Sequence, residues 1–275
     1  MEALRKKAKE LLSAGAVKVV IGYGAGSTPE RVRAVFARTA EQADGLTMPV
    51  AQADSLSSSA QNLAVYLMKP EVKALGKVAV VVRTVGLRAL LQFAVENQIA
   101  EDAAVALAVG DDGAVHELPT LAAVEEYVAQ LPRGLAAAEK AELERIDQMS
   151  REERWAYWYA EMARCIKCYA CRAACPMCYC SRCITDNNAP QWVPTTSDAL
   201  GNLEWNIARA MHLAGRCVNC GSCAKACPQG IRIDLLNQVV AREALTEFGA
   251  EAGFSRRKDY ALASFKPEDK EEFIR

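Results

Sequence analysis

Short apolar runs alternate with longer amphipathic stretches over residues 1–118. Three of the apolar runs predict buried strands, at residues 16–22, 77–83 and 103–109. Two of the stretches between them have helical spacing, at residues 58–69 and 87–99. Strands separated by helices of this length predict a small α/β domain with a mostly parallel sheet.

A glycine-rich stretch follows the first predicted strand. Gly22, Gly24 and Gly26 alternate, and residues 27–30 (Ser-Thr-Pro-Glu) have the N-cap and first-turn proline that are typical of a helix. The pattern therefore predicts a strand, a turn and a helix. Such a turn can hold a phosphate at the helix N-terminus, but the spacing does not complete a dinucleotide fingerprint. A tight strand-to-helix turn without a ligand is the alternative.

The remainder of the chain has mainly helical spacing. Residues 119–163 predict a helical connector, 164–235 a domain that contains every cysteine, and 236–275 a helix followed by a charged docking arm. Helical spacing over residues 201–215 ends at a glycine, so we expect a mainly helical cysteine domain rather than a compact β-rich one.

The connector ends in a cluster of aromatic residues, Trp155, Tyr157, Trp158 and Tyr159. Aromatic side chains at helical spacing supply large apolar contact areas. We expect this helix to pack against the core or against a partner protein.

The composition is that of a soluble globular protein, with 51% hydrophobic residues, 24% charged residues and a mean hydropathy of -0.03. The net charge of -1 gives no field that would attract nucleic acid or an anionic membrane. The sequence has no apolar run long enough for a membrane span. Its first residues predict an amphipathic helix without the apolar region of a signal peptide, so we expect a cytoplasmic protein.

Cysteine is the unusual residue: there are 11, and all lie between Cys165 and Cys227. In a reducing compartment a dense group of cysteines indicates metal binding rather than disulfides. Eight of them form two copies of the spacing C-x2-C-x2-C-x3-C-P. The copies consist of Cys165, Cys168, Cys171 and Cys175, and of Cys217, Cys220, Cys223 and Cys227.

This spacing is typical of two-cluster ferredoxins, in which the fourth cysteine of each copy binds the cluster of the other copy. We therefore predict a first [4Fe–4S] cluster on Cys165, Cys168, Cys171 and Cys227. A second cluster is predicted on Cys217, Cys220, Cys223 and Cys175. Structural zinc is usually bound by two separate pairs of cysteine or histidine ligands, and a run of three cysteines plus a fourth does not resemble that arrangement. Electron transfer follows, because four thiolate ligands leave no iron open to a substrate.

Three further cysteines, Cys178, Cys180 and Cys183, lie outside both copies. Cysteine is a good small core residue, so packing against the first cluster is one interpretation. The other is a third metal site, for which Asp186 or His212 could supply a fourth ligand.

Basic residues are interspersed with the cysteines: Arg164, Lys167, Arg172, Arg182, Arg216 and Lys225. They could offset the negative charge of thiolate-bound clusters and raise their potentials. The alternative is that they are solvated surface residues.

The two cysteine segments, CIKCYACRAACPMCYCSRC and GRCVNCGSCAKACPQGI, resemble iron–sulfur proteins related to the coenzyme F420 hydrogenase/dehydrogenase beta subunit. Segments with a looser resemblance precede them: VKVVIGYGAGSTPERVR, NLAVYL, GKVAVVV and ENQI. The resemblance implies a role beside formate dehydrogenase, hydrogenase or heterodisulfide-reductase-like subunits of anaerobes. It also implies an α/β region that binds flavin in the family's beta subunits.

The chain departs from this family at Thr84-Val85-Gly86, where relatives tend to carry Gly-Cys-Asp, and it is shorter after Gly113. We therefore expect a degenerate flavin-binding region that has kept its fold for docking.

The sequence thus predicts an electron-transfer subunit of a cytoplasmic redox complex, with two [4Fe–4S] clusters. One alternative is an FAD-containing beta subunit that reduces a deazaflavin or a similar acceptor. Another is a structural adaptor with a metal kept for folding.

Overall fold

A computed structural model describes residues 1–28, 31–49, 60–135, 137–183, 185, 190 and 193–258. The N-terminal part has five strands: β1 (Val20–Ala25), β2 (Val32–Ala37), β3 (Val78–Val82), β4 (Ala104–Val109) and β5 (Val115–Leu118). Its helices are α1 (Glu2–Ser13), α2 (Pro70–Lys73) and α3 (Thr84–Val95), with 3-10 turns at Gln42–Gly45 and Leu63–Met68. These elements confirm the predicted α/β class.

The strands form one sheet in the order β2-β1-β3-β4-β5. The central pairs β1–β3 and β3–β4 are parallel, whereas β2 and β5 pair antiparallel at the two edges. The sheet is therefore mixed, and the expectation of a mostly parallel sheet was wrong. The cause is that β2 and β5 each return directly from the preceding strand instead of crossing over through a helix.

The predicted strand–turn–helix unit after β1 is also wrong. Pro29 and Glu30 lie outside the described residues, and the chain then forms β2, which pairs along the whole of β1. Gly22 and Gly24 lie within β1, where an added Cβ atom would approach Leu46 Cδ2 to 2.5 Å and Val35 Cγ1 to 2.6 Å. Close packing against Leu46 and against Val35 of β2 thus accounts for Gly22 and Gly24, and the element that follows β1 among the described residues is a strand and not a helix.

Of the two helices predicted in this part of the chain, the first is wrong and the second is confirmed. The segment at 58–69, of which residues 58–59 lie outside the described residues, forms the 3-10 turn Leu63–Met68 instead of an α-helix, and the backbone N–H of Ala64 donates to the side chain of Asn62. The second predicted helix corresponds to α3, whose end is followed by Asn97 in a left-handed conformation (φ 55).

The remaining elements of the described chain are all helices, separated by irregular segments: α4 (Leu121–Ala129), α5 (Ala137–Asp147), α6 (Arg151–Ala163), α7 (Ala170–Ala173), α8 (Ala199–Met211), α9 (Ser222–Lys225) and α10 (Ile233–Phe248). Helix α6 starts with a capping box between Ser150 and Glu153. No helix in these described ranges is long and apolar enough to cross a membrane.

Buried contacts join the region of the sheet (residues 1–118, here called the sheet domain) to the region of the cysteines (residues 164–235, here called the cysteine segment) and to the chain after α10. Ser222, at the start of α9, accepts a hydrogen bond from the backbone of Asn62 at 2.9 Å. Arg88 of α3 donates to the carbonyl of Ala252 at 3.0 Å and lies 4.3 Å from the ring centre of Phe254. The described part of the C-terminal segment therefore packs on the sheet domain, and residues 259–275 lie outside the described residues.

Candidate metal centres

The two copies of the cysteine spacing have left-handed residues at the same two positions. Lys167 and Asn219 follow the first cysteine of each copy by two residues, and both are left-handed, with φ 50 and φ 56. Tyr169 and Gly221 occupy a second equivalent position with φ 59 and φ 66 and precede the single-turn helices α7 and α9. Such left-handed residues curl the chain, so that each loop presents its cysteines to one side.

The first predicted ligand set surrounds one cavity. Its lining includes all four thiols of the set, Cys165, Cys168, Cys171 and Cys227. Trp205 and Asn206 of α8 and the apolar side chains of Ile231 and Ile233 complete the wall. The fourth cysteine comes from the other copy, so the cavity lies between the two segments.

The second predicted set surrounds a separate cavity, lined by Cys175, Cys217, Cys220 and Cys223. Leu213, Val218, Asn237 and Gln238 also line it. Asn237 Nδ2 lies 3.7 Å from the sulfur of Cys223. Each copy thus contributes three thiols to one cavity and one thiol to the other.

The two cavities differ in their access to solvent. Cys168 of the first set is exposed, whereas Cys220 and Cys223 of the second set are buried. Burial raises the pKa of Cys217 to about 11, and it also raises the pKa of Cys223. Such thiols ionise at neutral pH only when a positive centre binds them, and metal binding has this effect.

Several buried donors in and around these cavities have no acceptor among the described residues. They are Nε1 of Trp205, Nε and Nη1 of Arg209, and Nε2 of Gln238. Buried polar groups in proteins are normally hydrogen-bonded, and the sulfur atoms of iron–sulfur clusters accept hydrogen bonds. Thiol sets with unpaired donors beside them therefore fit clusters of this kind.

The three remaining cysteines do not share one environment. Cys178 and Cys180 line a groove between the cysteine segment and Lys69 of the sheet domain. Cys178 lies 3.8 Å from Nη2 of Arg209, whereas Cys183 lies 3.0 Å from the hydroxyl of Thr185.

Neither proposed fourth ligand is placed beside these three cysteines by a described contact. Asp186 lies outside the described residues, and His212 is an exposed residue at the end of α8. Among the side chains that the structure describes, no three from Cys, His, Asp or Glu are close enough together to hold a single ion, and this applies to the two cavity-lining sets as well as to Cys178, Cys180 and Cys183.

The basic residues near the cysteines differ in their partners. Lys167 is buried and donates to backbone carbonyls before and within α8, and Arg216 pairs with Glu96. Arg164, Arg182 and Lys225 are exposed. Arg172 donates to the carbonyl of Cys180 at 3.2 Å.

Arg209, the most buried cation of this region, was not among the sequence candidates. It lies on α8, outside both cysteine copies. On α8, Arg209 shares one buried face with Asn202, Trp205 and Asn206. The helical spacing of these four residues is the feature of the sequence that could have indicated a buried charge.

The aromatic helix α6 has two faces. Trp158 and Tyr157 pack with Leu143 and Ile146 in a small apolar core. Trp155 stacks on Tyr159 at a centroid distance of 6.4 Å, and both rings remain exposed, at 59% and 39%. The helix therefore packs on the core with one face and leaves an apolar surface on the other.

Comparisons with known proteins agree with this geometry. Residues 161–231 match the model of the 4Fe-4S dicluster domain. The chain is also 37% identical over 81 residues to the F420-dependent formate dehydrogenase subunit beta of Methanocaldococcus jannaschii. That alignment covers 29% of this chain and 20% of the relative, so the chain spans about a fifth of the relative's length. The resemblance to F420-related iron–sulfur proteins is therefore confirmed.

Proposed function

We propose that this chain is an iron–sulfur electron-transfer subunit that relays single electrons between partner subunits of a cytoplasmic anaerobic redox complex. The observation that carries the proposal is the pair of cavities, each lined by four cysteines in the crossed pattern. The match to a 4Fe-4S dicluster domain supports the same chemistry. The complex would be of the formate dehydrogenase, hydrogenase or heterodisulfide-reductase-like kind.

The lining of the cavities supports the ligand sets of the proposal. Cys165, Cys168, Cys171 and Cys227 would hold the first [4Fe–4S] cluster, and Cys217, Cys220, Cys223 and Cys175 the second. Clusters bound there would supply one-electron transfer. The protein's own part is to fix the thiols, exclude water with apolar side chains, and offer hydrogen-bond donors to the sulfur atoms.

The two ligand sets differ in exposure, and this difference supports an order in which electrons would pass through the two clusters. The first set is close to the surface through Cys168, so a partner protein could approach it. The second set is buried against the sheet domain, where Ser222 bonds to Asn62 and accepts from the thiol of Cys220. Electrons would therefore pass between the protein surface, the first cluster and the second cluster.

The sheet domain is proposed to be a docking platform. It buries one side of the second set, and its helix α3 is tied to the cysteine segment through Glu96. The exposed pair Trp155 and Tyr159 offers an apolar face of the kind found at the centre of protein interfaces. Partner subunits would contact these faces.

A second candidate function is an FAD-containing beta subunit that reduces a deazaflavin. The observation in its favour is the similarity to a formate dehydrogenase subunit that is named F420-dependent. It requires a flavin bound to the sheet domain, and flavin analysis separates the two functions.

Metal analysis of the full chain, purified without oxygen, tests the proposed function. We expect about eight irons and about eight acid-labile sulfides per chain. A chain that holds zinc and no labile sulfide would overturn the relay and support the structural adaptor. Capture of partner proteins under the same conditions would then identify the donor and the acceptor.

A further inference from the structure

Arg209 is a buried cation whose donors are only partly used. The side chain is 3% exposed, and its Nη2 donates to the carbonyl of Cys171 at 3.0 Å. Its Nε and Nη1 atoms are buried and have no hydrogen-bond partner among the described residues. Charged groups are seldom left unpaired in a protein interior, so these two atoms indicate that an acceptor belongs beside them.

The nearest thiol to this guanidinium is that of Cys178, whose sulfur lies 3.8 Å from Nη2. The charge of Arg209 interacts with Cys171 of the first set, with Cys178, and with Cys175 and Cys223 of the second set. Helix α8 thus places one cation close to both candidate cluster sites.

We propose that Arg209 is a shared counter-ion of the two clusters, which donates hydrogen bonds toward their sulfur atoms and raises both reduction potentials. The inference rests on the proposed function, because it requires the two clusters. Reduction adds one negative charge to a cluster, and a nearby positive charge stabilises the reduced form. The interaction is little screened because the guanidinium is buried.

The chemistry of arginine suits this role. Its guanidinium carries five N–H donors in a fixed plane and stays charged at any physiological pH. One residue can therefore donate in two directions while it also holds the carbonyl of Cys171. A lysine in this place would keep the charge but could not keep this arrangement of donors.

The test is a potentiometric titration of the full chain, followed by electron paramagnetic resonance under anaerobic conditions. We expect Arg209→Gln to lower both midpoint potentials by at least about 59 mV, which is a tenfold change in the reduction equilibrium of a one-electron couple. Arg182→Gln is the matched control, because it removes the same charge from an exposed position of the same segment. Its two midpoints should remain at the wild-type values.

The outcomes separate this inference from the proposed function. Wild-type protein without iron–sulfur signals would refute the relay itself. If the wild type holds two clusters and Arg209→Gln changes the midpoint potential of neither or of only one, the shared counter-ion is refuted and the relay is not.

If Arg209→Gln holds too little iron to titrate, Arg209→His replaces it, because imidazole loses its charge near pH 6.5. Both midpoints should then fall more steeply than in the wild type as the pH rises through that value. Midpoints that follow the wild-type pH dependence would contradict the proposal. Failure of both variants to bind iron would assign Arg209 a structural role and would also count against it.

Discussion

Glu96 at the end of α3 and Arg216 directly before Cys217 form a two-point ion pair. Arg216 Nε donates to Oε1 and Nη2 to Oε2, each at 2.7 Å, and the hydroxyl of Tyr179 also donates to this carboxylate. Burial would raise the pKa of Glu96, but the hydrogen bonds and charge of Arg216 outweigh it, so the pKa lies below its usual value. The pair joins the sheet domain to the second ligand set.

Replacement of Glu96 by Gln should weaken the attachment of the cysteine segment. The change leaves a half-buried guanidinium without its counter-charge, at a cost of about 2 kcal/mol. The midpoint of cluster loss in guanidinium chloride, measured anaerobically by absorbance, should fall. Between about pH 6 and pH 8 the difference from the wild type should stay constant, because the lowered pKa keeps Glu96 charged throughout that range.

The matched control for this variant is Glu142→Gln. Glu142 pairs with Arg145 at 3.0 Å on an exposed surface of α5, so its loss should cost less than about 0.5 kcal/mol. Equal midpoints for the two variants would show that the Glu96 pair does not hold the segments together.

The contacts of Glu96 also show which features the sequence could not predict. The cysteine spacing limits which thiols can meet, and the two cavities are lined by the same sets that the spacing proposes as ligands. Glu96 and Arg216 are distant in the chain, and although both lie in segments that carry the family resemblance, nothing in either segment indicates that they pair. Their pairing depends on how two folded segments pack, which no local pattern encodes.

The N-terminal errors have a similar cause. Pro29 after Ser27 and Thr28 resembles a helix start, but the β-branched side chains of Val32 and Val35 favour a strand, and pairing with β1 decides the outcome. Tertiary pairing overrides a local capping signal in this segment. Arg209 was missed because burial of a charge is visible only in the folded chain.

Crossed ligation can be tested by combining substitutions. Each single Cys→Ser change among the eight motif cysteines should lose one cluster, about four irons. Cys168→Ser with Cys227→Ser should still lose only about four, because both residues line the first cavity. Cys220→Ser with Cys227→Ser should lose about eight, because these residues line different cavities. The reverse result would assign the fourth cysteine to its own segment.

Cys178, Cys180 and Cys183 can be tested as a group. If they only pack, the triple change to Ala should leave the iron content unchanged and lower the thermal midpoint modestly. The largest effect should come from Cys178, which packs with the core of the sheet domain. Loss of about four irons in the triple variant would instead show a third cluster, and loss of a zinc would show a structural clip.

The purified chain is expected to carry little or no flavin and to work only when docked to partners. An enzyme that acts on a deazaflavin needs a pocket for the hydride-accepting ring and usually a tightly held flavin to divide two electrons into single steps. The glycines that suggested a phosphate site are explained by sheet packing at Gly22 and Gly24. Gly86, at the position of the family's Gly-Cys-Asp stretch, packs so closely that an added Cβ would approach Val82 to 2.6 Å.

The sheet domain has one histidine that could serve as a general acid or base. Its single histidine, His116, lies on the edge strand β5 with its ring 5.0 Å from that of Tyr127. A relay needs only clusters near its surface and apolar faces for docking, and the exposed rings of Trp155 and Tyr159 meet the second need. Acid release of cofactors followed by fluorescence measures the flavin directly. About one flavin per chain would reject the relay and establish the flavoenzyme, whereas iron and sulfide without flavin would support the relay.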